Sequence, residues 1–100
     1  LTNGRSLNVT VLKTSDSPAA PEWKLMSFDN NVESQSSEFI NDDVGMQYIT
    51  LYVNEMDAVI ARLKDSGVKF RGDTPITLDD GRHFVLIQDP DGVFIELIGN

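Results

Sequence analysis

The sequence predicts an α+β fold in which a single helix packs on a sheet of several strands. This prediction rests on one stretch, residues 47–100, where a strand, a helix, an extended segment and two further strands follow one another. The strands show apolar residues at every second position, and the helix shows them at every third or fourth. One helix cannot cover both faces of a sheet. The other face must therefore meet a second element or curve around a cavity.

The stretch opens with a strand and its helix. Residues 48–53 (YITLYV) are dense in β-branched and aromatic side chains, which is typical of a strand. Residues 54–67 predict a helix, because four apolar residues share one stripe: Met56, Val59, Ile60 and Leu63. We expect Asn54 to cap its N-terminus and Gly67 to take the left-handed conformation after its end.

Two further strands close the stretch. Residues 68–70 and 74–78 are extended but interrupted by Gly72 and Pro75, and a turn at 79–81 leads into the strand at 82–88 (RHFVLIQ). The segment Asp89-Pro90-Asp91-Gly92 has the proline and glycine positions of a type I turn, and residues 93–98 (VFIELI) form the last strand. The apolar residues expected to face the helix are Ile49, Leu51, Val53, Val93, Ile95 and Leu97.

The first part of the chain predicts a hairpin with a long loop. Residues 7–13 (LNVTVLK) and 22–28 (EWKLMSF) both alternate, and a proline-bearing polar loop connects them. Residues 29–46 are polar and predict a linker, with a short turn or strand at 38–40. With 100 residues, the chain is expected to be one domain.

The composition argues against several classes of function. A formal net charge of −8 is unsuited to binding nucleic acid or anionic membranes. The sequence has no cysteine, which excludes disulfides, thiolate metal sites and a cysteine nucleophile. No apolar run is long enough to span a membrane. These features fit a cytoplasmic protein.

Glu96 is the side chain that the pattern of the last strand does not explain. It shares a strand face with Phe94 and Ile98, which are both large and apolar. A buried carboxylate there would need a cation, a metal or hydrogen-bond donors, or would stay protonated. A glutamate at the rim of the sheet, in contact with water, fits the same pattern.

The other candidates are weaker. His83 is the only histidine, so a histidine-rich metal site is excluded, and a surface or packing role is expected for it. Lys24 shares a strand face with Met26 and Phe28, as Glu96 does with its own apolar neighbours. Tyr48 and Tyr52 either pack on the sheet or contact a ligand. Phosphate-binding glycine motifs are absent.

Three segments together resemble a known module. YITLYV, NEMDAVIARLKDSGVKF and RHFVLIQDPDGVFIELIG are similar to one module of the vicinal oxygen chelate superfamily, with LIQDPDGVFIEL as the strongest element. That superfamily contains glyoxalase I, methylmalonyl-CoA epimerase, extradiol dioxygenases, and the fosfomycin and bleomycin resistance proteins. The resemblance implies a complete glyoxalase-type βαβββ module at 47–100, the back strands of a preceding module at 1–28, and a curved mixed sheet that forms a cup.

The resemblance also implies where a metal would be held. In the metal-using families, the opening and closing strands of each module supply the ligands. Glu96 matches the closing-strand glutamate, whereas Tyr48 stands where histidine or glutamine is usual, and Lys24 stands where the first module would have its glutamate. The usual metal site is therefore not expected, and Glu96 is a metal ligand only if a divalent metal is present. We expect Lys24 and Glu96 to pair instead.

Three interpretations follow from the resemblance. In the first, the cup binds a small molecule without a metal, and its lining residues are Tyr48, Thr50, Tyr52, Trp23, Lys24 and Phe94. In the second, the protein is a metal-dependent lyase, isomerase or dioxygenase in which Glu96 is catalytic, with ligands completed by a missing segment or a second chain. In the third, the chain is a fragment whose open sheet edge pairs with another copy. A homodimer is expected.

Overall fold

The computed structural model describes residues 3–29, 38–42 and 44–100. The chain divides into two compact units, Leu1–Glu33 and Ser34–Asn100. The first contains a two-stranded sheet, and the second contains a four-stranded sheet with a helix. The α+β class predicted from the sequence is confirmed. No helix within the described ranges has the length and apolar character needed to cross a membrane.

The first unit is an antiparallel hairpin. Strands β1 (Leu7–Lys13) and β2 (Glu22–Phe28) have the predicted bounds, with Leu7 opposite Phe28 and Lys13 opposite Glu22. The Nζ atoms of Lys13 and Lys24 lie 3.9 and 3.7 Å from the carboxylate oxygens of Glu22. These side chains are exposed, so the ion pairs contribute little to stability.

Half of the predicted linker at 29–46 lies outside the described residues. Within its described part, the backbone N–H of Asp42 donates to the carbonyl of Phe39 at 3.2 Å. The Asp42 carboxylate in turn accepts from the backbone N–H of Phe39 at 2.9 Å. Of the two alternatives predicted for residues 38–40, a short turn or a strand, the structure has the turn.

The second unit contains β3 (Tyr48–Val53), α1 (Met56–Asp65), β4 (Arg71–Thr77), β5 (His83–Gln88) and β6 (Phe94–Gly99). The strand order across the sheet is β3-β6-β5-β4. Strand β3 runs parallel to β6, and the other neighbours are antiparallel. The first and last strands of the unit are therefore neighbours, which places Glu96 beside β3.

The core lies between α1 and one face of the sheet. Its buried residues are Met56, Val85, Ile87 and Leu97, and the residues packed around them are Leu51, Val53, Val59, Ile60, Leu63, Val68, Phe70 and Ile95. The predicted apolar stripe of the helix is confirmed. The prediction for Val93 is wrong: it precedes β6 and is 37% exposed, and its carbonyl accepts from Asp89 N–H at 2.9 Å in the β5–β6 turn.

The two ends of α1 differ in how they are capped. The prediction of Asn54 as N-cap is wrong: the N-cap is Glu55, in the left-handed conformation (φ 55°) and without a side-chain hydrogen bond. The N–H of Met56 donates instead to the carbonyl of Asn100 at 2.6 Å. A partner distant in sequence thus replaces a local cap.

The C-terminal end of α1 matches its prediction. Gly67 has φ 73°, and its N–H donates to the carbonyl of Lys64 at 3.0 Å. The N–H of Val68 donates to the carbonyl of Leu63, also at 3.0 Å. This pair of bonds is the Schellman motif, which satisfies carbonyls that the helix itself cannot pair.

Strand β4 is more continuous than predicted. The sequence indicated two extended pieces, but residues 71–77 form one strand whose register with β5 shifts between Arg71 and Ile76. The hydroxyl of Thr74 donates to the carbonyl of Arg71 at 2.8 Å and accepts from the N–H of Leu86 at 3.1 Å. Thr74 therefore replaces regular ladder bonds at the irregularity and fixes the backbone of Arg71.

Both predicted turns of this unit are confirmed. In the β4–β5 turn, Gly81 N–H donates to the carbonyl of Leu78 at 2.9 Å. Its Asp80 carboxylate accepts a hydrogen bond from the Arg82 guanidinium, which lowers the pKa of Asp80 below its ordinary 3.8. In the β5–β6 turn, Gly92 N–H donates to the carbonyl of Asp89 at 3.0 Å.

Candidate ligand-binding site

The sheet face opposite α1 carries the residues that could bind a ligand. Because side chains alternate along a strand, the residues between the core positions point to this face. The strand registers place Thr50 (β3), Glu96 (β6), Leu86 (β5) and Arg71 (β4) side by side in one row across the sheet. Neighbouring strands lie ~4.8 Å apart, so the row is about 14 Å wide.

Glu96 is partly buried in this row and has a defined partner. The hydroxyl of Thr50 donates to Oε1 of Glu96 at 3.0 Å. Among the described residues, the other carboxylate oxygen, Oε2, has no hydrogen-bond partner. Glu96 therefore lies between the two environments that the sequence left open: it is neither fully buried nor fully exposed, and Thr50 holds one of its oxygens.

Aromatic side chains lie on both sides of this pair. On β3, Tyr48 is opposite Phe94 and Tyr52 is opposite Ile98. The tyrosines are 48% and 77% exposed, whereas Phe94 is 4% exposed. The tyrosine rings are thus accessible to a ligand beside Glu96. Phe94 is buried and supports the strand pair, and its direct contact with a ligand stays a prediction.

The remaining predicted site residues belong to the first unit. Trp23 is partly buried and lies opposite Leu12 in the hairpin. The ammonium of Lys24 lies 3.7 Å from the carboxylate of Glu22. Contact of Trp23 and Lys24 with a ligand, the pairing of Lys24 with Glu96, and the homodimer all stay predictions.

The family is decided by a sequence match over nearly the whole chain. The sequence model of the Glyoxalase/Bleomycin resistance protein/Dioxygenase superfamily matches residues 1–97. The chain belongs to this superfamily. The match covers both parts that the resemblance implied, the back strands at 1–28 and nearly all of the module at 47–100.

Solved structures of two proteins share the fold of this superfamily member. One is an integron cassette protein from the mobile metagenome of V. cholerae, with 18% identity, a TM-score of 0.52, and coverage of 91% of this chain and 75% of that chain. The other is a lactoylglutathione lyase from Agrobacterium tumefaciens, with 17% identity, a TM-score of 0.50, and coverage of 92% and 75%. At these identities the likeness extends to the fold alone. No curated protein matches the sequence.

Many members of the superfamily use a divalent metal, and the residues of this site do not fit one. Such an ion needs several oxygen or nitrogen ligands in fixed geometry. Residues 3–29, 38–42 and 44–100 contain no group of three or more His, Cys, Asp or Glu side chains that could hold a metal ion. The strand neighbours of Glu96 are Thr50 and Leu86, and Tyr48 lies two residues along β3 from Thr50.

His83 lies away from this face. Its Nδ1 is 3.3 Å from the hydroxyl of Thr77, and its Nε2 is 3.9 Å from the carboxylate of Asp57 on α1. His83 therefore belongs to the helix side of the sheet, as a residue that joins β4, β5 and α1. This agrees with the surface or packing role expected for it.

Arg71 is a polar residue of this superfamily member that sequence analysis missed. It is partly buried, and its Nε atom is buried without a hydrogen-bond partner. Residue 71 lay between the two predicted extended pieces, 68–70 and 74–78, so the sequence assigned it no face, whereas in the structure it begins β4. Only the pairing of Arg71 with Leu86, and of Leu86 with Glu96, places it in the row.

Proposed function

We propose that this member of the glyoxalase superfamily binds a small organic molecule on the sheet face around Glu96. The observation that carries the proposal is the hydrogen bond from the Thr50 hydroxyl to Oε1 of Glu96, 3.0 Å long and partly buried. A carboxylate with one oxygen fixed by a neighbour is oriented before any ligand arrives. A ligand then meets an acceptor whose direction is set, which lowers the entropic cost of binding.

The chemistry of the face indicates the kind of ligand. An ionised carboxylate accepts hydrogen bonds, so the ligand should carry a donor such as a hydroxyl or an ammonium group. An ammonium would also compensate the partly buried charge of Glu96. The exposed rings of Tyr48 and Tyr52 offer surface to an aromatic or apolar body, and their faces favour a cation. We therefore propose a small amine or alcohol with an aromatic or apolar body.

A titration with benzylamine tests this proposal. We expect benzylamine to shift the backbone amide resonances of Thr50, Tyr52 and Glu96 in ¹⁵N-labelled protein. Glu96→Gln keeps the size of the side chain but removes its charge, and should weaken binding about tenfold, the effect of losing a charge-assisted hydrogen bond. The dissociation constant is obtained from the shifts as a function of benzylamine concentration.

The matched control is the same substitution elsewhere in the second unit. Glu55 is exposed and has no side-chain cap bond, so Glu55→Gln should leave benzylamine binding unchanged. The amide spectra of both variants verify that the fold is retained. Equal affinity of the wild type and Glu96→Gln would contradict the proposal.

The same pair of variants separates this proposal from metal-dependent chemistry. We expect protein purified without chelator, loaded with Zn²⁺ or Mn²⁺ and desalted, to retain far less than one ion per chain, because Glu96 and Thr50 offer too few ligands. Elemental analysis measures the content. Stoichiometric metal that is lost in Glu96→Gln and kept in Glu55→Gln would instead favour a metal-dependent lyase, isomerase or dioxygenase.

A further inference from the structure

A cleft lies at one end of the sheet, where the chain enters β4 and the β5–β6 turn approaches it. Its volume is ≈ 410 Å³, and its lining residues are Val68, Lys69, Arg71, Gln88, Asp89, Pro90, Asp91 and Gly92. Thr50 and Glu96 do not line it, whereas Arg71 does; the cleft therefore borders the face proposed above at its β4 end, two strands away from Glu96. Sites for small molecules occupy about 300–1,000 Å³, so this volume suits a compact ligand.

Arg71 brings an unused donor to this cleft. Among the residues that the structure describes, Arg71 Nε is the one buried side-chain nitrogen or oxygen without a hydrogen-bond partner. A guanidinium stays protonated and has only donors to offer. Buried polar groups are almost always paired in folded proteins, so the unpaired Nε shows that the surrounding protein does not bind this guanidinium there, and its terminal Nη groups are the donors that Arg71 offers to the cleft.

The neighbours of Arg71 hold it in place without supplying the acceptor. Its backbone is fixed by the Thr74 hydroxyl, which donates to the Arg71 carbonyl at 2.8 Å. Across the cleft, Oδ1 of Asp89 accepts from the N–H groups of Asp91 and Val93, both at 2.9 Å. The turn therefore uses one oxygen of the Asp89 carboxylate for its own backbone.

We propose that this cleft binds an organic monocarboxylate, with its two oxygens accepting from the two Nη–H groups at the end of the Arg71 guanidinium. The planar fork of arginine matches a carboxylate in this two-bond geometry. Lys69 adds positive charge, and Val68 and Pro90 offer apolar surface to the body of the ligand. The carboxylates of Asp89 and Asp91 repel a second negative charge, so a dianion such as phosphate is disfavoured.

Benzoate is the probe that tests this assignment, because it joins one carboxylate to a flat apolar body. We expect it to shift the Nε–Hε signal of Arg71 in the ¹H–¹⁵N spectrum of the wild type, together with the amides of Lys69 and Gly92. For so small a ligand the dissociation constant should be about 1–10 mM. Benzamide, which is uncharged, and inorganic phosphate should bind at least tenfold more weakly.

Two variants separate the fork of Arg71 from simple charge. Arg71→Lys keeps the positive charge but removes the planar pair of Nη donors, and should weaken benzoate binding about tenfold. Lys69→Gln removes a charge of the same cleft, and should weaken it only about twofold. Glu96→Gln should leave benzoate binding unchanged, so failure here is distinguishable from failure of the amine site.

Three results would overturn the assignment. The first is wild-type protein whose Arg71 Nε–Hε signal does not move with benzoate. The second is equal binding of benzoate and benzamide, or of benzoate and phosphate. The third is a folded Arg71→Lys variant that binds benzoate as tightly as the wild type. Because the first two use only the wild type, the proposal stays testable if Arg71→Lys does not fold.

Discussion

Gly99→Ala is expected to destabilise the second unit by about 3 kcal/mol or more, although it adds a single methyl group. Gly99 lies on β6 between Val53 of β3 and His83 of β5. A Cβ atom at this position would overlap the backbone carbonyl oxygen of Val53. Since the obstacle is backbone, no change of rotamer relieves it, and β3 must move away from β6.

Urea unfolding of the wild type and of two glycine variants measures this effect. The control is Gly67→Ala, where a Cβ would meet open space but φ is +73°, so only the cost of the left-handed conformation remains, about 1 kcal/mol. The expectation fails if Gly99→Ala lowers the free energy of unfolding no more than Gly67→Ala does.

Met56→Ala is expected to cost about 2–5 kcal/mol of stability through the cavity that it leaves. Met56 is 0% exposed and packs with Val85, Ile87 and Leu97. Its backbone bond to the carbonyl of Asn100 does not need the side chain and is retained. Alanine also favours the helix more than methionine does, so the loss reports packing rather than helix propensity.

A second methionine of the same unit provides the control. Met46 is 83% exposed, and Met46→Ala should change the free energy of unfolding by less than about 0.5 kcal/mol. Thermal and urea unfolding of the two variants, followed by circular dichroism, give the comparison. Similar stability of Met56→Ala and Met46→Ala would contradict the structure of the core.

Those parts of the fold that depend on local periodicity could be predicted from the sequence. The bounds of β1 and β2 and the apolar stripe of α1 follow from alternation and helical spacing, which neighbouring residues determine. The N-terminus of α1 could not be predicted in this way. The acceptor of the Met56 N–H is the carbonyl of Asn100, 44 positions later in the chain, and no local pattern contains it.

In the candidate site, too, some residues could be predicted from local pattern and others could not. Glu96 stood out because its charge contrasts with Phe94 and Ile98, which is a local contrast, and Thr50 lay on the predicted ligand face of its own strand. Arg71 was missed because its place depends on the register of β4 with β5, and that register is irregular at this point. Residues whose role arises from pairing between distant strands need the structure to be found.

The parallel pairing of β3 with β6 has a consequence for folding order. Strands β4, β5 and β6 follow one another and close short loops, whereas Thr50 and Glu96 are separated by 46 residues. Closing a longer loop costs more entropy, and β3 lies at an edge with one strand neighbour among the described residues. We expect β3 to dock late and to detach early in native-state fluctuations. A ligand that contacts both Tyr52 and Glu96 would then bridge β3 and β6 and slow this opening.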